Sequence, residues 1–292
     1  MTEDRTKRNE VFTPARPAGI DPAIQTQTAY DAVKSDFGLD IPVELVPLPS
    51  NGIIYPTSSG LYNKEVLEIR AMTAREEDIL TSKALLKKGT VITELIKSCL
   101  VDKTIDPATL IAGDRNALMV SIRVTGYGHQ YDAEITCSND ECELKSLRQF
   151  NLAELAIQRL KITPVTPGEN AFEFLLPFTK KLVKFKFLTG FDEEDISATQ
   201  DKQKKLGMQS ANAVTSNLLH SIISIDNNAD RGKLSAFVRM MPARDSLALR
   251  EYIRSNEPGI LMKQETTCPA CGHEEQVQIP ISVSFLWPGA GR

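Results

Sequence analysis

Thr136-Cys137-Ser138-Asn139-Asp140-Glu141-Cys142 and Thr267-Cys268-Pro269-Ala270-Cys271-Gly272 decide how this chain is read. Each is a threonine followed by a close cysteine pair, and the leading cysteines stand 131 residues apart. At the same offset Ala117, Leu118, Ile122 and Arg123 match Ala248, Leu249, Ile253 and Arg254. Random composition rarely makes such a set coincide, so the chain reads as a duplicated unit, each copy ending in a paired-cysteine hairpin. Thiolates suit tetrahedral zinc, and a tight turn between two strands aims both sulfurs of a pair at one ion. Cys137, Cys142, Cys268 and Cys271 are therefore the candidate ligands of one Zn2+ shared between two halves. The second pair, with two residues between the cysteines, has knuckle spacing; the first, with four, is looser. His273 stands beside the second pair and reads as a polar surface residue rather than a ligand.

The repetition extends upstream. Leu67-Glu68-Ile69-Arg70-Ala71-Met72-Thr73 aligns with Val183-Lys184-Phe185-Lys186-Phe187-Leu188-Thr189, and Glu76-Glu77-Asp78-Ile79 aligns with Glu193-Glu194-Asp195-Ile196 after a one-residue slip. Alternating apolar residues mark half-buried strands, and a threonine three residues ahead of an acid marks a helix start. The expected fold is α+β: two tandem, duplicated lobes, each of strand, helices and zinc-knuckle hairpin, plus an extended N-terminal arm. The boundaries fall at an arm over 1–40, a Pro/Gly-rich extended segment over 41–63, a first lobe over 64–161, a linker over 162–171 and a second lobe over 172–292.

Within the first lobe one helix is expected from Thr73 to Gly89, closed by Lys87-Lys88-Gly89, where the macrodipole favours cations and the chain must turn left-handed. A second carries Val91, Ile92, Leu95, Ile96 and Cys99 on one face, and a third is capped by Asp114 and broken by Gly126-Tyr127-Gly128. In the second lobe Val214, Leu218, Leu219, Ile222 and Ile223 form a helical stripe. A helix follows from Asp245, and Val277, Ile279, Ile281, Val283 and Phe285 alternate as a strand.

At 292 residues the chain can hold two lobes with real cores, and 41% hydrophobic content is ordinary for a globular protein. Its net charge of −4 argues against binding nucleic acid mainly through phosphate neutralisation. No apolar run is long enough to span a bilayer and the first ten residues are polar, which points to folding in a cytosol without membrane insertion. Four of five cysteines in two close pairs fit metal binding there better than disulfides.

Other chemistry is poorly served. Cys268-Pro269-Ala270-Cys271 as a thiol-redox motif would need to open a helix, and strand alternation follows it instead. Glu76-Glu77-Asp78 and Glu193-Glu194-Asp195 are what the first turn of a helix favours. Cys99 sits in an apolar stripe, and His129 and His220 have no evident partner. No nucleophile-base arrangement and no phosphate-cradling glycine loop stands out, so an enzyme is not expected.

Val46-Pro47-Leu48-Pro49-Ser50-Asn51-Gly52-Ile53-Ile54-Tyr55-Pro56, Arg70-Ala71-Met72-Thr73-Ala74-Arg75-Glu76-Glu77-Asp78-Ile79-Leu80, Gly113-Asp114-Arg115, Arg123-Val124-Thr125-Gly126-Tyr127-Gly128 and Phe285-Leu286-Trp287-Pro288 together resemble the T4-like phage baseplate hub and hub-assembly proteins. The resemblance covers roughly residues 43–288, in the same order. It implies a structural interaction protein of the baseplate hub region of a contractile-tailed bacteriophage, assembled in the host cytoplasm and located in the virion tail. An assembly chaperone absent from the finished particle is the first alternative. A zinc-ribbon nucleic-acid module is the second, although Glu141, Glu143, Glu274 and Glu275 crowd the knuckles where it would need cations. The implied partners are other baseplate or tail proteins, or further copies of the chain, with no small-molecule substrate. In the arm, Phe12, Ile20, Ile24, Tyr30 and Phe37 are spaced like anchors for a neighbouring subunit, because so little periodic apolar surface cannot build a core of its own.

Overall fold

Val46 faces Leu67 across an antiparallel pair of β1 (Val43–Pro47) and β2 (Val66–Arg70), and alternation along the strands turns Val46, Leu67 and Ile69 into the core. The computed structural model describes residues 38, 40–205, 213–280 and 283–287. The chain divides into residues 1–41 and a compact unit over 42–292. The arm residues Phe12, Ile20, Ile24, Tyr30 and Phe37 lie outside the described residues.

Between β1 and β2 the chain turns at Asn51-Gly52, both left-handed with φ of 52° and 71°. A Cβ on Gly52 would stand 2.4 Å from the Leu61 carbonyl oxygen, so the turn admits only glycine there. After β2, Thr73 opens α1 (Ala74–Thr81), its amide and hydroxyl both donating to the Glu76 carboxylate. The single helix expected from Thr73 to Gly89 is broken: Ser82 adopts an extended conformation, and a separate α2 (Lys83–Lys88) ends on left-handed Gly89. α3 (Val91–Cys99) buries Val91, Leu95, Ile96 and Cys99 as the stripe implies.

α4 (Ala112–Tyr127) sends Leu118 and Ile122 into the core and stops at Gly128, with φ of 83°. Its N-cap is Ile111, not Asp114, which lies inside the first turn and points its carboxylate elsewhere. Gly126 is within the helix, where a Cβ would stand 2.7 Å from the Met72 side chain. The first cysteine hairpin follows as β3 (Gln130–Thr136) paired with β4 (Lys145–Asn151), and then comes the short β5 (Ile157–Gln158).

Residues 162–171 contain no regular element and fold onto the 48–65 loop, the Gly168 amide donating to the Ile53 carbonyl at 3.1 Å. β6 (Phe172–Leu175), β7 (Leu182–Phe185) and β8 (Ile222–Ile225) then form a three-stranded antiparallel sheet in that order. α5 (Gly190–Lys205) begins at Thr189, whose amide and hydroxyl donate to Asp192. α6 (Ala213–Ser221) carries Val214, Leu218 and Leu219, but the expected stripe ends there, because Ile222 and Ile223 belong to β8. β-branched residues beside an open strand edge gain a ladder that a further helical turn would forgo.

α7 (Arg231–Met240) is capped by Asp230, and α8 (Ala243–Asn256) carries Asp245 in its first turn. β9 (Gly259–Ile260) pairs with β5, and β10 (Lys263–Thr267) with β11 (Glu274–Gln278) forms the second cysteine hairpin. The strand expected through Val283 and Phe285 ends at Gln278; 283–286 is the short helix α9, and Ile281 lies outside the described residues. Phe285 is buried edge-on against Tyr131 from β3. Among the described residues no helix is long and apolar enough to cross a membrane.

The fold is thus mixed α and β with small antiparallel sheets, and each half ends in a cysteine hairpin. In the first half Ile69 bridges to Leu100, and in the second β7 pairs with β8, where Phe185 faces Ile222. The halves share one core and a hydrogen-bonded seam. The Ala112 amide donates to Leu188 at 2.8 Å and Gly190 to Leu110 at 3.0 Å, while Gly113 lies so close to Pro258 that a Cβ would overlap its carbonyl oxygen at 1.6 Å.

Candidate metal centre

The two hairpin turns are built alike despite their different lengths. In the second, the Cys268 amide donates to the His273 carbonyl at 2.8 Å, and Gly272, directly after the second cysteine, is left-handed. In the first, the Cys137 amide donates to Leu144 at 3.0 Å and Glu143 holds the same left-handed place with φ of 43°. The two additional residues are absorbed by a turn at Asn139, whose side-chain oxygen accepts from the Glu141 amide and whose carbonyl accepts from Cys142. Four intervening residues therefore do not loosen the knuckle, because the asparagine takes up the slack locally.

The hairpins meet turn to turn. All four Sγ atoms lie within 4.8 Å of one another, with Cys137 to Cys271 at 3.7 Å and Cys142 to Cys268 at 3.8 Å. Four sulfurs at about 2.3 Å from a tetrahedral zinc stand about 3.8 Å apart, so these two separations already have the edge length of such a site. The donor set is all sulfur: His273 Nε2 lies 3.2 Å from Ser138 Oγ, and Asn139 Nδ2 donates to Cys271 Sγ at 3.9 Å. The cluster is compatible with a zinc site. Its thiols differ in acidity. The amides of Cys271 and Ala270 bring Cys268 down to about 6, whereas at Cys137 the Asn139 amide is outweighed by burial and three neighbouring thiols, which push it up to about 12.

An ion pair also ties the hairpins together, and no local pattern marks it. Arg148 on β4 and Glu275 on β11 form an ion pair at 2.8 Å, with only 3% and 8% of their side chains exposed, and Glu275 also accepts from the Ser138 amide. Behind the turns, the Tyr131 hydroxyl donates to the Pro280 carbonyl and Gln264 Nε2 to the Asn151 carbonyl. The hairpin strands are thus held to each other before any metal is considered.

The acid clusters occupy structural positions. Glu76 is fully buried and accepts from Arg70, Ser98 and Thr73; these bonds outweigh the cost of burial and hold its carboxyl down at about 2. Glu77 accepts from the Tyr127 hydroxyl, Glu193 pairs with Arg115, Glu194 accepts from Thr93, and Asp195 meets His220. Cys99 is a buried core thiol.

A family model described as T4 bacteriophage base plate protein matches residues 53–287. This chain belongs to that family. No curated protein and no solved structure matches it. The family match spans both halves of the baseplate protein and both cysteine hairpins, so the clamp lies inside the family region.

Proposed function

We propose that this baseplate protein is a non-catalytic structural component of the hub region of a contractile phage tail, built from two tandem-duplicated halves that one Zn2+ clamps through Cys137, Cys142, Cys268 and Cys271. The observation carrying this reading is the convergence of two separately built knuckles, 131 residues apart in sequence, on one four-sulfur cluster of zinc dimensions. When bound, the ion would supply a rigid four-thiolate staple between hairpins that already share the Arg148–Glu275 pair. Duplication is supported by Thr73 with Glu76 and Thr189 with Asp192, which share an offset of 116 residues, and by Asp114 and Asp245, which share the cysteine offset of 131.

Rigid halves fixed in one orientation suit a protein that holds neighbours in register, and the family supports other baseplate or tail proteins as those neighbours. The arm, with Phe12, Ile20, Ile24, Tyr30 and Phe37, supplies the docking anchors. Mass spectrometry of purified particles tests the placement: peptides at fixed stoichiometry are expected, and their absence from particles but presence in infected lysate would make the protein an assembly chaperone instead.

A further inference from the structure

The four sulfurs are not equivalent. Two sulfur contacts, at 3.7 and 3.8 Å, each join one hairpin to the other, and each joins a more exposed cysteine to a buried one. Cys271 is exposed and its near neighbour Cys137 buried; Cys142 is partly exposed and its near neighbour Cys268 buried. That is the arrangement of an attacking thiol backed by a resolving thiol, present twice. It differs from the Cys268–Cys271 redox motif that the strand following it argues against, because the partners come from opposite hairpins.

We propose that Cys137–Cys271 and Cys142–Cys268 are two redox-active pairs that convert the clamp into two disulfides across the hairpins when the protein leaves a reducing cytosol. A small-molecule disulfide is the oxidant class. The Cys271 thiolate attacks one sulfur of the reagent, forming a mixed disulfide and releasing one thiolate. Cys137 then attacks the Cys271 sulfur, closing the cross-hairpin bond and releasing the second thiolate. Two cysteine thiolates lose two electrons in all, and the reagent disulfide gains them as two thiolates. Cys142 and Cys268 follow in the same way with a second reagent molecule. Both bonds would tie the first half to the second, so a seam held by hydrogen bonds, the Arg148–Glu275 and Arg115–Glu193 ion pairs and any bound metal becomes covalent. The inference uses the sulfur positions alone, so it stands or falls separately from zinc occupancy.

The test treats full-length protein with glutathione disulfide, as purified and after chelation, and maps disulfides by non-reducing peptide mass spectrometry with metal content measured in parallel. Cys137–Cys271 and Cys142–Cys268 linkages are expected. Linkages within a hairpin, Cys137–Cys142 and Cys268–Cys271, or no linkage in chelated protein that remains folded, would overturn the proposal. A brief pulse of alkylating reagent on the wild type should label Cys271 before Cys137, and Cys137→Ser should trap glutathione on Cys271. Equal labelling of all four thiols in folded protein would also contradict it. Absence of zinc with the expected linkages would refute the metal reading and leave this one intact.

Discussion

The two halves place an aspartate at one position of their long helices and use it oppositely. Asp114 on α4 and Asp245 on α8 are both fully buried, and each holds the preceding hairpin loop. Asp114 accepts from the Ser50 amide at 3.0 Å and from the hydroxyls of Ser50 and Tyr55; Asp245 accepts from the amides of Phe178 and Thr179 at 2.7 and 3.0 Å. At Asp114 burial prevails and its pKa rises, whereas at Asp245 the bonds from Thr179 and Phe178 outweigh burial and its pKa falls. Both aspartates lie in the first turn of their helices, but the partners decide whether the site wants a charge. The loops differ in what they bring. In the first half residues 48–65 are long enough to bring a serine and a tyrosine onto the helix start, whereas the short turn between β6 and β7 brings two amides and the Thr179 side chain.

The largest expected effect is at the proposed clamp, to which each half brings two cysteines. Replacing Cys142 or Cys268 with alanine should lower the melting midpoint of zinc-loaded protein by roughly 10 °C or more, since metal binding free energy is folding free energy. Equal losses from the two hairpins would show that both knuckles hold the ion; a loss from Cys268 alone would break the equivalence.

The helix caps come next. Glu76 and Asp192 do the same work, but Glu76 is fully buried against Arg70, while Asp192 pairs with the more exposed Lys186. A carboxyl held at about 2 instead of its ordinary 4.5 contributes stability that is present above the unfolded pKa and lost as pH falls through the folded one. Glu76→Gln should therefore cost about 3 kcal/mol at pH 7, and the difference from wild type should vanish as pH falls from 4.5 towards 2. Asp192→Asn should cost less. Chemical denaturation across that pH range decides the order.

The aspartates themselves give a finer contrast. In Asp114→Asn the amide oxygen can keep the Ser50 amide, and the new NH2 can donate to hydroxyls that rotate to accept it. In Asp245→Asn one backbone amide must face an NH2 and is left orphaned. The cost should be under about 1 kcal/mol at Asp114 and about 2 kcal/mol at Asp245. Urea midpoints in the reverse order would refute the account of the two loops.

A stabilising effect is expected at the seam, in a cleft of about 360 Å3 lined by Glu193 and Glu257. Burial and the Glu193 charge raise Glu257 to about 7. An acid raised in the fold supports stability when protonated, and that support is lost as pH climbs from 4.5 through 7. Glu257→Gln should thus stabilise the protein by about 1 kcal/mol at pH 8, a value reduced for solvent screening, and leave it unchanged at pH 4. Thermal melts at the two pH values check the sign.

Much of this was legible in residues. The cysteine offset of 131, the alternation in β2 and β7 and the two Thr-x-x-acid starts are local patterns, and locality is what a sequence displays. The one-residue slip inferred at the second helix disappears in the structure, because Asp192 rather than Glu193 answers Glu76. Glu193 instead faces Arg115 across the seam, which is a tertiary partner and leaves no mark in local pattern. The transfer of Ile222 and Ile223 from helix to strand and the burial of Phe285 against Tyr131 involve neighbours distant in sequence. So do the Arg148–Glu275 pair and the loop-holding roles of Asp114 and Asp245, which are visible only once the hairpins meet.

Whether one ion joins the halves is tested most directly by zinc K-edge absorption fine structure on the purified, reduced, full-length chain. The account expects a single shell of four sulfurs at about 2.3 Å, with one zinc per chain. A shell containing nitrogen or oxygen, two sulfurs only, or no bound zinc would contradict a clamp made of Cys137, Cys142, Cys268 and Cys271.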